Sequence, residues 1–437
     1  MEQVTGMYTA TNKSKSILAH TVIAFVFLMD EALFPVFHLM GIPFKVSYVF
    51  LLLALVCYIF SAKISNNLHF RFAHGSEAKK VVRLFFALIL LSCLGEMTML
   101  FFSKVSNGQP FADALLNYCF MVASFILGYS IYRYRARVLL WALYIYSAIN
   151  IALLMFYSSL PGFITSMYGE YYATGIRIRG TGGNANATLL VMNMILLSIV
   201  VLFKYGRLRI SGMHVWLVLI VPILTNVFVS SRGEFVHTVL LELFYIYVLV
   251  KNEKNKAKTL GRIIGIIILI LAAYIFVFHY LYNVNDSIRY GIDRLSMLGD
   301  VTDVEDYETG DADTILRPFF RADVFWARFK HSPLWGAGYS YGTTDAFIKS
   351  ANGYHNDWFR VLASTGILGF GCLIAILKRF VKKAGVFVLL PLFIAGLTNT
   401  FLQSTHALNI YFFLFGTVCH LTEAAACSLK QDTRKEV

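Results

Sequence analysis

Long apolar runs, each ended by a short polar break, recur from one end of the 437-residue chain to the other. A hydrocarbon core of ~30 Å takes about 20 mostly apolar residues per helical crossing. Twelve segments meet that measure: 18–39, 46–62, 82–103, 111–132, 138–158, 186–203, 213–231, 234–250, 260–282, 361–377, 385–402 and 408–426. Barrel strands would instead alternate in hydrophobicity over ~10 residues, and no such alternation is sustained. The pattern predicts an all-α fold, a polytopic transmembrane bundle of about twelve spans. The first apolar run is long, is interrupted by Asp30 and Glu31, and leads to no small-residue cleavage site. It reads as a span rather than a signal peptide.

Three regions follow from this pattern. Residues 1–282 hold spans 1 to 9 behind a cytoplasmic N-terminus, 283–360 form a large outer loop, and 361–437 hold spans 10 to 12 with a cytoplasmic C-terminus. Loops beyond ~12–15 residues are usually functional or disordered. The second half of this one carries Phe319, Phe320, Phe325, Trp326, Phe329 and Trp335, too many aromatics for disorder. Its spacing predicts an amphipathic surface helix over 318–330, stopped at His331-Ser332-Pro333. No internal repeat stands out.

Composition agrees: 58% of residues are hydrophobic and 14% charged, with a mean hydropathy of +0.64, against ~25% charged in soluble domains. The net charge of +13 raises nucleic acid as a partner, and the placement of the charges removes it. With the N-terminus inside, the alternate loops and both tails hold 25 of the 38 basic residues, the positive-inside bias of membrane proteins. Cys57, Cys93, Cys119, Cys372, Cys419 and Cys427 all fall in or beside apolar spans, with no C-x-x-C, so neither a disulfide framework nor a zinc site is expected.

Polar residues then gather where the model of spans puts the outside. In "GIRIRGTGGNAN" (175–186), Arg177 and Arg179 lie at period two, and Gly180, Gly182 and Gly183 precede a helix start near Asn184 and Asn186. Glycines before a helix N-terminus suit a phosphate, and arginine offers it a bidentate fork; interface arginines that snorkel to headgroups are the alternative. Arg232, in "SSRGE", is a cation at a tight outer turn, where function competes with simple pairing to Glu234. Arg321 is a third cation, with a salt bridge to Asp323 as its plainer role. His355, flanked by Tyr354, Asn356 and Asp357, stands just before the tenth span, and a neutral imidazole there can accept a proton from a sugar hydroxyl. It can equally be a polar surface residue. Asp311-Ala312-Asp313 looks like a metal-binding Asp-x-Asp, but it sits in an acidic run with Asp303, Glu305, Asp306 and Glu308 and lacks calcium-loop spacing, so no metal is expected. Glu96 and Glu242, inside spans, are functional or helix-bridging acids.

In this order the islands resemble the O-antigen ligase and O-antigen polymerase superfamily of bacterial surface-polysaccharide assembly. They are Arg179-Gly180 with Asn184-Ala185-Asn186; Ser231-Arg232-Gly233; Arg321 and Phe325 with Pro333-Leu334-Trp335-Gly336-Ala337-Gly338; and His355-Asn356 with Gly366-Ile367-Leu368-Gly369. Ala185 departs from the proline many members carry, and Trp326 beside Phe325 leaves that helix's register open. The resemblance implies a metal-independent, cofactor-free, inverting glycosyl transfer at the periplasmic face of the bacterial inner membrane. The donor would be an undecaprenyl-diphosphate-linked glycan, and the acceptor another lipid-linked repeat unit (a polymerase) or the lipid A core (a ligase). The polymerase is favoured because an idiosyncratic Phe- and Tyr-rich sequence suits a repeat-unit-specific enzyme. Arg179, Arg232 and Arg321 would neutralise the diphosphate and His355 would act as base. Arg177, Gly180, Asn184, Asn186, Tyr354, Asn356 and Asp357 would bind substrate. The lipid bilayer is a partner, and a chain-length regulator is one the resemblance allows. A lipid-linked oligosaccharide flippase is the rival of another class, since transporters share this span count but place substrate at the midplane, whereas here the unusual polar residues collect outside.

Overall fold

The computed structural model describes residues 17–33, 36–39, 42–45, 76–156, 161, 185–229, 231–252, scattered positions from 257 to 272, 275–282, 322–342, 356–398 and 401–435. In chain order the elements are α1 (Ile17–Leu28), β1 (Val36–Leu39), β2 (Ile42–Lys45), α2 (Glu77–Phe102), β3 (Val105–Asn107), α3 (Gln109–Ser130), α4 (Val138–Phe156), α5 (Ala185–Lys204), α6 (Met213–Val229), α7 (Arg232–Asn252), α8 (Ala322–His331), β4 (Tyr341–Gly342), α9 (Asp357–Ala384), α10 (Leu390–Thr398) and α11 (Thr405–Lys435). Helices dominate. Among the described residues, five are long and apolar enough to cross a membrane: α2, α3, α5, α7 and α9. The expected spans at 46–62 and, for the most part, 260–282 lie outside the described residues.

Two expected spans take a different form. The first does not run to residue 39, because α1 stops at Leu28 and β1 pairs antiparallel with β2, Leu39 opposite Ile42. Pro35 and Pro43 in the sequence forbid a continuous helix there. The eleventh is a 3-10 turn at Val386–Leu389 followed by the nine-residue α10 and another 3-10 turn at Phe401–Gln403.

The chain divides into two compact units. One comprises 1–48 and 133–313, the other 49–132 and 314–437. In the first, α5 is the central helix, packed by α4, α6 and α7 and buried on nearly every side from Leu189 to Leu202. A helix apolar all round belongs in such an interior. Within the stretch from Leu189 to Leu202, Asn193 is fully satisfied: it donates to the Glu234 backbone carbonyl (3.1 Å) and to Oε2 (2.9 Å), and accepts from Thr238 (2.7 Å). Asn226 donates to Thr238 (2.7 Å) and His237 shares a hydrogen bond with Glu234 (3.1 Å), so α5, α6 and α7 are joined by one buried polar network.

The second unit pairs α3 with α11 and α2 with α9. At the first pair, Gly128 and Gly416 allow the backbones to touch; a Cβ on either would lie 2.0 Å from a carbonyl oxygen of the other helix. Small residues at such crossings are how helices associate in lipid. α2 is inverted relative to a soluble amphipathic helix. Phe86, Leu90, Leu94, Met97 and Phe101 are exposed along one face, while Ser92, Gly95, Glu96 and Thr98 are buried on the other. One end of this unit gathers Lys79, Lys80, Arg83, Lys378, Lys382 and Lys383, tied by Glu77 to both Lys80 (2.8 Å) and Arg379. At that end Glu423 accepts from the Ala78 N–H (3.3 Å) and the Tyr129 hydroxyl (2.8 Å). The opposite end carries the β3–β4 pair and the loop from Ser332 to Tyr339.

Candidate functional site

α9 is broken at Gly366, whose backbone (φ 65°, ψ −173°) lies in a region essentially restricted to glycine. A continuous helix would have bonded Ile367 N–H to Ala363 C=O and Leu368 N–H to Ser364 C=O. Instead Ile367 donates to Pro333 (2.9 Å) and Leu368 to Leu334 (3.0 Å), while Ala363 accepts from Ala337 (2.9 Å) and Ser364 from Gly338 (3.1 Å). Segment 333–338 thus gives 363–368 the two bonds that each would have made with itself. The exchange is two-fold in character. Gly336, with φ 85°, faces Ser364 and Thr365 just as Gly366 faces Leu334 and Trp335; a Cβ on either would lie 2.2–2.5 Å from the other's backbone. The Pro-x-x-Gly-x-Gly and Gly-x-x-Gly islands therefore form one structure.

The turn is gripped from both sides by opposite charges. Glu96, buried on α2, accepts from the N–H groups of Tyr339 (3.0 Å) and Ser340 (3.3 Å). Arg328, buried on α8, donates to the carbonyls of Gly338 and Ser340, 2.8 Å each. Trp335 adds a bond from its indole N–H to Thr98 (2.8 Å). α8 reaches this position because Phe325 stacks on Phe359 of α9, ring centres 4.6 Å apart, and packs against Ala363. The helix expected over 318–330 is observed as Ala322–His331, with residues 318–321 outside the described residues.

Beside the turn lies a small cleft with room for about one water molecule, lined among the described residues by Ala114, Asn117, Tyr118, Tyr339, Arg360, Val361 and Leu402. The hydroxyls of Tyr118 and Tyr339 are hydrogen-bonded to each other, and the guanidinium carbon of Arg360 sits 5.6 Å from the Tyr339 ring centre. Burial, reinforced by Tyr118, pushes the Tyr339 phenol well above its ordinary pKa, so it stays protonated. Asn117 spends its amide on the Leu402 carbonyl (2.9 Å) and the Thr405 hydroxyl (2.8 Å).

Of the residues expected to bind substrate, Asn356 and Asp357 begin α9 and both are buried. Asn356 is the N-cap, its Oδ1 accepting from the N–H groups of Trp358 (2.9 Å) and Phe359 (3.2 Å). Asp357 Oδ2 accepts from Leu402 N–H (2.7 Å), fixing the start of α9 against the turn at 401–403. Asn186 is half-buried in the first turn of α5. Arg232 opens α7; its side chain, together with His355, Tyr354, Arg321, Arg177, Arg179, Gly180 and Asn184, lies outside the described residues, as does the acidic run at 303–313. Among the described residues no group of His, Cys, Asp or Glu is arranged to hold a metal. Sequence reasoning passed over Arg328 and Arg360. Arg328 had left a signal, a cation three residues from Phe325 on the apolar face of a short helix.

A family model described as O-antigen ligase matches residues 215–374, from α6 into α9 beyond its break. Over that segment the chain is similar to the O-antigen ligase family. None of the curated proteins compared matches it. The O-antigen ligase segment contains three of the four islands, including both halves of the backbone exchange, and leaves out the Arg179-Gly180 island. Family members are glycosyltransferase-like enzymes of the polymerase or ligase type, and the apolar helices make this chain a multi-pass membrane protein.

Proposed function

We propose that the protein is a surface-polysaccharide polymerase that transfers a glycan from undecaprenyl diphosphate to a hydroxyl of another lipid-linked repeat unit, at the periplasmic face of the bacterial inner membrane. The observation that carries this reading is the O-antigen ligase match over the segment holding Ser231-Arg232-Gly233, the Pro333–Gly338 turn and His355-Asn356. In the proposed step His355 takes the acceptor hydroxyl's proton as that oxygen bonds to the donor's C1, and the bond from C1 to the diphosphate breaks on the opposite side. Negative charge grows on the departing diphosphate, where Arg179, Arg232 and Arg321 stabilise it. Arg177, Gly180, Asn184 and Asn186 bind near the diphosphate; Tyr354, Asn356 and Asp357 serve the acceptor side. The basic end of the second unit supports the orientation: the positive-inside bias puts Lys378–Lys383 in the cytoplasm, and the turn with the start of α9 at the other surface.

The test uses purified protein with lipid-diphosphate repeat units and no ion gradient. Glycan should lengthen, which a flippase would not achieve, and His355→Ala should slow lengthening by about 10²–10⁴-fold, the usual weight of general-base catalysis. Full-rate growth in that variant removes the base. The family description favours a ligase as the second reading. Cells lacking the protein separate the two, since single-repeat capping marks a lost polymerase and full-length chains retained on the carrier mark a lost ligase.

A further inference from the structure

Asn193 binds α7 through both ends of its amide, donating to the main-chain carbonyl and Oε2 of Glu234 and accepting from Thr238. Further along both helices Phe203 meets Tyr245, ring centres 5.6 Å apart, so α5 and α7 run parallel and begin at the same surface. Stability alone does not account for the polar cluster. Glu234 Oε1, His237 Nε2 and Asn226 Oδ1 are buried with no hydrogen-bond partner among the described residues, whereas a network that strengthens a fold satisfies its members. Hydrogen bonds between helices in lipid also contribute modestly. What one buried polar contact supplies well is register. The rest of α5 is mostly Leu, Val, Ile and Met, and such a helix could slide a turn, about 5.4 Å, by exchanging one set of apolar contacts for another. Asn193 is satisfied only where Glu234 and Thr238 stand opposite it.

The register matters because of what the two helices carry at their shared end. Asn186 lies two turns before Asn193 on the same side of α5, and Arg232 opens α7 just before Glu234. At about 1.5 Å of rise per residue, Asn186 stands ~10 Å beyond the level of Asn193, and Arg232 ~3–6 Å beyond the level of Glu234 and Thr238. The backbones are therefore offset by roughly 5 Å along the helix axes, and a slip of one turn would be as large as that offset. Two groups that share a diphosphate need a fixed separation, since a misplacement of ~1 Å at a reacting centre can cost 10²-fold in rate. We infer that Asn193 and Glu234 are positioning residues for the diphosphate: they touch no substrate, and by setting the register of α5 against α7 they hold Asn186 and Arg232 at the separation the leaving group requires. The inference rests on the glycan-transfer reading, which places Asn186 and Arg232 at the diphosphate. It also gives Glu234 a part other than neutralising Arg232, since its Oε2 is taken by Asn193 and His237.

The experiment reads register and turnover separately, in full-length protein stripped of its native cysteines. Phe203→Cys is paired in turn with Tyr245→Cys and with Leu241→Cys or Leu249→Cys, one turn to either side, and oxidative cross-linking is followed in membranes. With Asn193 present the 203/245 pair should cross-link and the shifted pairs should not. Asn193→Leu should move part of the cross-linking to a shifted pair. On the native-cysteine background it should lower kcat/KM for the lipid-diphosphate donor at least tenfold, raising KM as well as lowering kcat, whereas a partly unfolded preparation lowers kcat alone. Glu234→Ala should behave alike, and Glu234→Gln, which keeps an acceptor and loses the charge, should recover most of the activity. Should Asn193→Leu not fold, as thermal unfolding reports, the comparison of Glu234→Ala with Glu234→Gln decides. Unshifted cross-links in folded Asn193→Leu, shifted cross-links with full kcat/KM, or a Glu234→Gln as impaired as Glu234→Ala would each overturn the inference, the last assigning Glu234 an electrostatic part. A wild type that lengthens no glycan sinks the glycan-transfer reading, and the cross-links still decide whether Asn193 sets the register.

Discussion

Glu96 is a carboxylate in the middle of an apolar helix, and both its hydrogen bonds go to main-chain N–H groups of one turn. Hydrogen bonds to a charged group contribute about 1.5–3 kcal/mol, and an orphaned buried N–H costs a further ~1–3 kcal/mol. Glu96→Ala should therefore lower stability by about 3 kcal/mol or more. Glu96→Gln keeps an acceptor oxygen and should cost less than half as much, with the two midpoints compared by thermal unfolding in detergent. A larger loss for Gln than for Ala would mean that the turn is not what Glu96 supports. The sequence marked Glu96 as either functional or helix-bridging, and the second reading was close: the residue bridges to a loop. That partner was unreadable because backbone N–H groups leave no mark in a residue pattern. Asn356 illustrates the same limit. Its type and place before an apolar run suit a cap as well as a ligand, and its Oδ1 caps α9.

For the elements, what the residue pattern conveyed well was apolar length, and what it conveyed poorly was interruption. α2, α3, α5, α7 and α9 stand where long apolar runs stand, whereas the break in α9 depends on a segment thirty residues upstream that no periodicity reveals. Only the glycines hinted at it. Gly366→Ala should abolish stable folding or lower the unfolding midpoint far more than Gly371→Ala, because a Cβ at 366 lies 2.4 Å from the Leu334 backbone and one at 371 meets nothing within 4 Å. Equal effects of the two substitutions would contradict the exchange. The α3–α11 crossing gives a parallel case: Gly128→Leu forces a side chain into the Phe413 carbonyl and should cost at least the ~1–3 kcal/mol typical of overpacking, seen as a lowered midpoint. The strand pair at 36–39 and 42–45 was legible in principle, since Pro35 precedes it and Pro43 lies within its second strand, but overall hydrophobicity outweighed them in the reading of a first span.

At the level of the whole molecule, the charge distribution makes a prediction about sidedness. Leu334 is 53% exposed at the turn end of the second unit, and Lys382 is exposed at the basic end. In a chain stripped of its native cysteines, Leu334→Cys should react with a membrane-impermeant thiol reagent added to spheroplasts, and Lys382→Cys should react only after lysis. The reverse pattern would invert the topology and remove the periplasmic site. The same end-to-end arrangement bears on how the protein is made. Residues 333–338 and 363–368 complete each other's backbone hydrogen bonds, so neither segment is satisfied before both have been synthesised, and Glu96, more than two hundred residues earlier in the chain, gains its two N–H partners only then.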